Sequence, residues 1–501
     1  MPTPSFTIVR GGRLLDIARR AAVPSDILIK GDTIVEIGAP GLAAPDGAVP
    51  VDAGDRLLHP GLVNAHTHGH GNLAKGLHDR WTLELLLTAS QWTGIGRTLE
   101  DKYLSTAIGA AEMVLKGCTA AYDLAAEFPL PSVEGLSAMA QAYEAVGMRA
   151  VLAPMVADLS FFEAIPGLME RLPEPLQKEV ESFRPSPWEA TAVQMRKALQ
   201  GWSHANVGLA LAPTIPHHCT DAFLVACRDL AREYGVGLHS HVAEAKSQAV
   251  VGLKRYGKSL TAHMDELGLV DERFVVAHGV WLDDEDMQRL GDRGASVAHN
   301  PGSNMRLGNG LANMRRMLER KVNVGVGTDG ASCADNLNMY EAMRLASFTS
   351  KVQGPDWQRW VTTEEALRAA TEGSARALGL ERQIGRLAPG YKADIVFLDL
   401  QHINWIPTND PVNQVVHTED GTAVHSVMIG GRMIVENRRL LTVDLAKLAD
   451  QAAASQARRA PLTAQGRALY ERLEEVVGTF CTGLAKAPLH IHRYGASHHT
   501  H

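Results

Sequence analysis

Hydrophobic and polar positions divide the chain into a β-rich start, a long alternating middle and a β-rich return that ends in a helical segment. In the middle, from about residue 60 to residue 380, apolar runs of strand length alternate with stretches whose apolar residues recur every three or four positions. Strands that alternate with helices favour a parallel sheet covered on its faces. Eight such runs are found, at residues 63–66, 119–122, 150–156, 207–212, 237–241, 274–278, 295–299 and 322–327.

Eight strand–helix units in a segment of this length predict an α/β fold, a (β/α)8 barrel of the TIM type. The flanks carry short β-prone runs separated by Gly, Pro and Asp. Neither flank is long enough to build a core alone, so we expect both chain ends to combine in one small β-sandwich. The predicted organisation is a sandwich from residues 1–58 and 385–443, a barrel over 59–384, and C-terminal helices with a His-rich tail over 444–501.

Composition narrows the class of protein. Of 501 residues, 45% are hydrophobic and 21% are charged, which is typical of a folded globular chain. The net charge of -7 argues against nucleic acid as a partner. No apolar run reaches the length of a membrane span, the start lacks the pattern of a signal peptide, and the five Cys are scattered. These features predict a soluble, cytoplasmic protein with no membrane partner.

Histidines and acids follow the predicted strands at the point where each strand ends. His66 and His68, two residues apart, project to the same side of the first strand. His241, His278 and Asp329 close the fifth, sixth and eighth strands, and the carboxyl ends of barrel strands meet at one mouth, where barrel enzymes build their sites. The sequence therefore predicts a metal site at this mouth.

With these motifs, the chain resembles the amidohydrolase superfamily and, within it, the deaminase branch that includes the triazine hydrolases and the S-adenosylhomocysteine and methylthioadenosine deaminases. The resemblance implies one divalent metal ion per chain, with zinc expected and iron as the alternative, bound by His66, His68, His241 and Asp329. The matching segments are residues 60–68, 241–244, 277–279, 299–304, 327–330 and 385–394.

The same resemblance implies a role for each catalytic candidate. A metal with an open position lowers the pKa of its bound water, and Asp329 accepts the proton. Glu244, three residues after His241, carries that proton to a ring nitrogen and then to the leaving group. His278 steadies the attacking water or the tetrahedral oxygen. The predicted reaction is hydrolytic deamination of a purine-, pterin-, pyrimidine- or triazine-like heterocycle.

The substrate side departs from the family pattern. Thr214 stands where deaminases often carry a substrate-contacting His, and His217 is a candidate replacement. Gly71 offers no side-chain amide to a purine edge, which argues against guanine deaminase. His70 and Trp92 are further candidate substrate contacts, the latter by stacking on a flat ring. The Pro-rich segment 161–188 is a candidate lid.

Other functions remain open on sequence grounds. The same site could remove chloride, sulfide or an alkylamine from a ring, or hydrolyse an amide, a carbamate or a cyclic imide. A non-catalytic relative is disfavoured because every expected ligand is present. The helical segment 444–486 suggests a homo-oligomer, while the pair His490 and His492 follows Pro488 in a polar tail and is not expected to bind metal.

Overall fold

Eighteen strands account for the β structure of the computed structural model, which describes residues 6–495, so His498, His499 and His501 lie outside the described residues. The strands are β1 (Phe6–Asp16), β2 (Ala21–Lys30), β3 (Thr33–Gly38), β4 (Val49–Asp52), β5 (Arg56–Pro60), β6 (Leu62–Thr67), β7 (Cys118–Ala125), β8 (Arg149–Val156), β9 (Val207–Leu209), β10 (Ala212–Pro213), β11 (Leu238–Val242), β12 (Phe274–His278), β13 (Ser296–His299), β14 (Asn323–Val326), β15 (Ile395–Asp399), β16 (Val424–Ile429), β17 (Arg432–Glu436) and β18 (Arg439–Leu440).

Helices follow most of the barrel strands, as the alternating pattern predicts. The α-helices are α1 (Leu83–Thr93), α2 (Leu99–Leu115), α3 (Val133–Val146), α4 (Phe161–Ala164), α5 (Leu168–Arg171), α6 (Glu174–Val180), α7 (Trp188–Gly201), α8 (Asp221–Tyr234), α9 (Lys246–Tyr256), α10 (Leu260–Glu266), α11 (Asp284–Arg293), α12 (Pro301–Arg306), α13 (Met314–Glu319), α14 (Met339–Lys351), α15 (Thr363–Arg368), α16 (Ser374–Ala377), α17 (Pro411–His417) and α18 (Leu445–Ala485). Short 3-10 turns cover Gly69–Ala74, Glu181–Phe183, Pro216–His218, Trp357–Arg359 and Ile403–Trp405, and a π-turn joins α15 to α16 over Ala369–Gly373.

Strands β6 to β14 form a closed parallel ring, the predicted (β/α)8 barrel. One arc runs from β6 through β7 and β8 to β9 and β10, and the other from β11 to β14. The arcs meet where the amide of His239 donates to the carbonyl of Leu211 at 2.9 Å. The ring closes where the amide of Asp329 donates to the carbonyl of His66, also at 2.9 Å. These bonds close the ring of parallel strands. The carboxyl ends of the first, fifth, sixth and eighth strands therefore lie at the same mouth of the barrel.

The fourth barrel strand differs from its prediction. The single run expected over 207–212 is divided into β9 and β10, which both pair with β8. Between them, the amide of Ala210 donates to Leu152 on one neighbour, while that of Leu211 donates to Gly237 on the other. The backbone changes partners within two residues here, so a regular ladder cannot continue.

Both chain ends contribute strands to one nine-stranded sheet beside the barrel. Its order is β18-β17-β16-β15-β5-β1-β2-β3, with β4 also paired to β1. A bulge between Val9 and Gly12 divides β1, so that its first half pairs with β4 and its second half with β5. The sheet encloses a core that draws on both ends of the chain, including Val9, Leu58 and Phe397.

Helix α18 occupies the predicted helical segment and packs along one side of the barrel mouth. Its residues Leu473, Val477 and Cys481 belong to the same hydrophobic cluster as Phe162 of α4 and Leu176 of α6. The candidate lid is therefore folded against α18. Across residues 6–495, no helix combines the length and the apolar character needed to cross a bilayer.

Candidate active site

The predicted site residues converge at the carboxyl end of the barrel. His66 lies near the end of β6 and His68 follows that strand, while His241 lies in β11 and His278 ends β12. Asp329 follows β14 by three residues. The side chains of His66, His278 and Asp329 are almost completely buried. The spacing argument thus placed the residues on the correct strands.

Two histidines are held in the tautomer that a metal ion requires. Nδ1 of His68 lies 2.8 Å from the carbonyl oxygen of Leu124, and Nδ1 of His241 lies 2.7 Å from that of Thr214. A carbonyl oxygen only accepts, so each Nδ1 donates its proton and each Nε2 is left with a free lone pair. The two Nε2 atoms face each other at 3.4 Å.

The spacing of the donor atoms fits one small cation. Oδ1 of Asp329 lies 3.2 Å from Nε2 of His68 and 3.4 Å from Nε2 of His66. In a tetrahedral site with metal–ligand bonds of about 2.0–2.1 Å, neighbouring donor atoms lie about 3.3 Å apart. Both ring nitrogens of His66 are buried and have no hydrogen-bond partner, which is the state expected of a ligand. The donor set of imidazoles and one carboxylate therefore suits a divalent metal.

The carboxylate of Asp329 is oriented from the side away from the histidines. Oγ of Ser303 donates to Oδ2 at 2.6 Å, and the amide of Gly330 donates to Oδ1 at 2.7 Å. Burial alone would raise the pKa of Asp329, but the adjacent imidazoles of His66 and His68 outweigh it and hold that pKa well below its usual value. Asp329 is therefore ionised, as a metal ligand must be.

Glu244 and His278 stand beside this cluster. Oε2 of Glu244 lies 3.6 Å from Nε2 of His278, and Nδ2 of Asn309 donates to Oε1 at 3.0 Å. Burial and the nearby charge of Asp329 raise the pKa of Glu244 well above its usual value. Nδ1 of His278 bonds Oδ1 of Asn304 at 2.8 Å, and burial lowers the pKa of His278, which keeps the ring neutral. The site therefore contains a carboxyl group whose protonated form is favoured by its surroundings.

Three residues of the site have left-handed backbone conformations. The φ angles are 52° at Ala243, 71° at His278 and 64° at Asp329. Residues with side chains adopt this region at a cost in free energy, and such strain is frequent at functional sites. The turns redirect the chain at the mouth, so each polar side chain leaves the strand toward the common centre.

A cavity of about 670 Å³ opens above the cluster. Its floor includes His68, His241, Glu244, His278 and Asp329. Much of its outer wall is apolar, and that part of the lining consists of Leu83, Leu86, Leu87, Ile95, Phe128 and Phe183. The volume lies within the range of small-molecule sites and exceeds what a single ring fills.

His70 is the one predicted substrate contact that lines this cavity. The amide of Ala126 donates to Nδ1 of His70 at 3.2 Å, so Nε2 carries the proton of the neutral ring. Burial lowers the pKa of His70 well below its usual value. Arg97 donates to the carbonyl of His70 and fixes the turn. His70 can thus offer a hydrogen-bond donor to a bound molecule.

Trp92 and His217 correct the prediction, because neither side chain lines the cavity. The ring of Trp92 packs 6.2 Å from that of Trp81 and 6.3 Å from that of Tyr470, centroid to centroid, and so joins α1 to α18. His217 is buried in a turn with its ring 4.7 Å from that of His218. Thr214 lines the cavity instead. Stacking partners within the protein, rather than space for a ligand, account for both positions.

Several residues of the site were not assigned a role from the sequence. Ser303 and Asn304 lie in the segment 299–304 that follows the seventh barrel strand, so their position in the sequence could have predicted that they lie at the mouth. Asn309 carried no such signal, because a loop brings it to the site. The candidate lid does contribute Ser182 and Phe183 to the cavity wall.

Comparison with known proteins places these features in context. A sequence model described as the amidohydrolase family matches residues 57–434. The chain is 34% identical to a 5-methylthioadenosine/S-adenosylhomocysteine deaminase of Syntrophomonas wolfei, over 83% of this chain and 90% of that protein. It is 30% identical to a 5'-deoxyadenosine deaminase of Methanosarcina mazei, over 85% of this chain and 91% of that protein.

Solved structures give the same picture of the fold. An adenosine deaminase of Xanthomonas campestris with bound zinc aligns with a TM-score of 0.79 and 26% identity, over 92% of this chain and 100% of that chain. A zinc-complexed atrazine chlorohydrolase of Arthrobacter aurescens aligns with a TM-score of 0.80 and 24% identity, over 89% of this chain and 99% of that chain. The second likeness concerns the fold alone.

Proposed function

The chain belongs to the amidohydrolase family, and from that premise we propose that it hydrolytically removes an amino group from an N-heterocycle. The observation that carries the proposal is the carboxyl group of Glu244, which stands beside the candidate metal ligands at the floor of the cavity. A proton donor at that position is what departure of ammonia requires. The relatives of 30% identity and above that are named here are deaminases of adenosine derivatives, which makes a 6-aminopurine the first ring to test.

We propose one zinc ion per chain, held by His66, His68, His241 and Asp329. Three imidazoles with one carboxylate suit zinc, and the neighbour from Xanthomonas campestris contains zinc. When bound, zinc supplies a Lewis acid that lowers the pKa of a coordinated water toward neutrality. The chain's own groups then have to orient the reactants and move the protons.

Each proton has a residue to hold it. Asp329 is ionised and accepts the proton of the attacking water through the carboxylate that Ser303 orients. Glu244, whose protonated form is favoured by burial and by the charge of Asp329, donates its proton to the ring nitrogen next to the attacked carbon. His278 donates from Nδ1 to Asn304, so the lone pair on Nε2 of its neutral ring can accept a hydrogen bond from the attacking water. His70 can position the heterocycle through its Nε2 proton.

The cavity supports a substrate that is longer than its ring. Besides the polar cluster at which the ring would react, the lining includes the apolar side chains of Leu83, Leu86 and Phe128. A 6-aminopurine with an apolar substituent fits this division better than a free base does. The panel therefore includes 5'-methylthioadenosine, 5'-deoxyadenosine, adenine, amino-, chloro- and thio-triazines, cyclic imides and simple amides.

The test is mass spectrometry of the products after the zinc-loaded protein meets this panel. We expect exchange of an amino group for oxygen, and we expect Glu244→Gln to lower kcat by about 100-fold or more while its zinc content stays at the parent level. Glu341, an exposed carboxylate that is not part of the cavity lining, provides the matched control, and Glu341→Gln should retain full activity.

Three outcomes would contradict the proposal. Full turnover by Glu244→Gln would remove the proton carrier from the mechanism. Loss of chloride or sulfur from the ring with no deamination would favour a displacement enzyme at the same site. Ring opening of a cyclic imide would favour an amidase.

A further inference from the structure

The segment after α18 returns to the mouth of the barrel. Residues 487–495, here named the tail segment, lie against the loops that follow β12 and α12. Leu489 and Ile491 pack on the main hydrophobic core, and His490 pairs with Asp283 at 3.0 Å. The segment is therefore bound along its length to the barrel.

Arg493 joins the two loops. Its Nε donates to the carbonyl of Val280 at 3.0 Å, and its Nη2 donates to that of Leu282 at 2.8 Å. Its own carbonyl accepts from the amide of Leu311 at 2.8 Å. Gly310 allows this approach, because a Cβ there would lie 2.8 Å from the carbonyl oxygen of Arg493. One residue thus holds the loop after β12 on one side and the loop of residues 307–312 on the other.

Both loops hold Glu244. Between Val280 and Leu282 lies Trp281, whose amide donates to the carbonyl of Ala243 at 2.7 Å. The indole Nε1 of Trp281 donates to the carbonyl of Asn309 at 2.7 Å. Asn309 in turn donates from Nδ2 to Oε1 of Glu244 at 3.0 Å. The backbone before Glu244 and the amide on its carboxyl group are therefore fixed by the same Trp281.

We propose that Arg493 is a positioning residue that acts through Trp281 and Asn309 to hold the carboxyl group of Glu244 in its working orientation. The inference rests on the proposed role of Glu244 as the proton carrier. A carboxyl group that transfers a proton must keep its oxygen within hydrogen-bond reach of the acceptor, and a displacement of about 1 Å lowers the rate strongly. Arg493 does not touch the cavity floor, so its loss should affect the rate and not the binding of substrate.

The test is the variant Arg493→Met, which keeps an unbranched apolar stem and removes the two hydrogen bonds from the guanidinium to Val280 and Leu282. We expect kcat with 5'-methylthioadenosine to fall by about tenfold, with KM and zinc content unchanged. Arg493→Lys, which retains a donor, should recover part of the loss. His490→Ala removes a neighbouring tail contact that does not lead to Glu244, and it should keep the parent kcat.

A double variant separates positioning from general destabilisation. If Arg493 acts through Asn309, the loss in Arg493→Met with Asn309→Ala should stay within about twofold of the larger single loss. Losses that multiply, or an unchanged kcat in Arg493→Met, would overturn the inference. Hydrogen exchange of the zinc-loaded protein without substrate gives an independent measurement, since the amides of Trp281 and Leu311 should exchange faster in Arg493→Met, and unchanged exchange would also overturn it.

The two proposals fail in different ways. Full turnover by Glu244→Gln removes the premise, whatever Arg493→Met does. An inactive Glu244→Gln together with a fully active Arg493→Met leaves the proposed function intact and rejects only the role of Arg493.

Discussion

Ser303 shows how one hydroxyl can orient a proposed metal ligand. It donates to Oδ2 of Asp329, which leaves Oδ1 directed at His66 and His68. Outer hydrogen bonds of this kind fix the orientation of a ligand before the metal arrives. The position of a residue at the end of a strand predicts that it reaches the mouth. The orientation of the Asp329 carboxylate cannot be predicted in this way, because it depends on Ser303 from another loop.

Replacing Ser303 by Ala should weaken metal binding. Without the hydroxyl, the buried carboxylate of Asp329 loses one partner and rotates more freely, so we expect the zinc affinity to fall by about 10- to 100-fold. Competition with a chromophoric chelator measures this change. Ser25→Ala, in the sheet formed by the chain ends, serves as the control. Equal zinc affinity in parent and Ser303→Ala would contradict the assigned role.

At the scale of elements, α18 stabilises the wall of the cavity from outside. Its buried residues 470, 473, 477, 481 and 484 are three or four positions apart and form one stripe. The helix itself was predictable from composition and length. The segments that pack against it were not predictable, because a stripe of apolar residues indicates that one face of the helix is buried and does not identify what buries it. The structure supplies the answer in α1 and in the short helices of residues 161–183.

The variant Leu473→Ala should show how far the short helices of residues 161–183 depend on α18 for their stability. The side chain is 1% exposed between α18 and the candidate lid, so its truncation should lower the free energy of unfolding by about 2–4 kcal/mol. Chemical denaturation measures the loss, and hydrogen exchange should place it in residues 161–183. Leu462→Ala, on the same helix and 43% exposed, should cost less than about 1 kcal/mol. A similar loss in both variants would argue against the packing role.

At the scale of the whole molecule, the sequence predicts the barrel and the candidate site better than it predicts the tertiary contacts between separate elements. Strand number and the strand that carries each ligand follow from spacing, because barrel strands recur with their helices. The junctions follow from tertiary packing alone. His59 in β5 is an example, since its Nε2 accepts from the hydroxyl of Tyr340 in α14 at 2.7 Å and no sequence pattern connects the two. Trp92 failed as a substrate contact for the same reason.

His59 also predicts a pH dependence of stability. Burial lowers the pKa of His59 from 6.5 to about 4. Between these pH values the unfolded chain binds a proton at His59 and the folded chain does not. Stability from this residue is complete above pH 6.5 and is lost as the pH falls toward 4. Between pH 7 and pH 5 we expect a loss of about 1–2 kcal/mol that His59→Gln removes. Denaturation curves at both pH values test this, and parallel losses in parent and variant would contradict it.

The sheet formed from both chain ends has a consequence for folding during synthesis on the ribosome. Leu57 and Leu58 in β5 are fully buried, and their partner strand is β15, at residues 395–399. During synthesis the ribosome releases β5 long before β15 emerges, so this apolar edge stays uncovered while the whole barrel is translated. We expect chaperones to engage the nascent chain at β5. A chain arrested before residue 395 would expose the same edge and be open to aggregation or degradation.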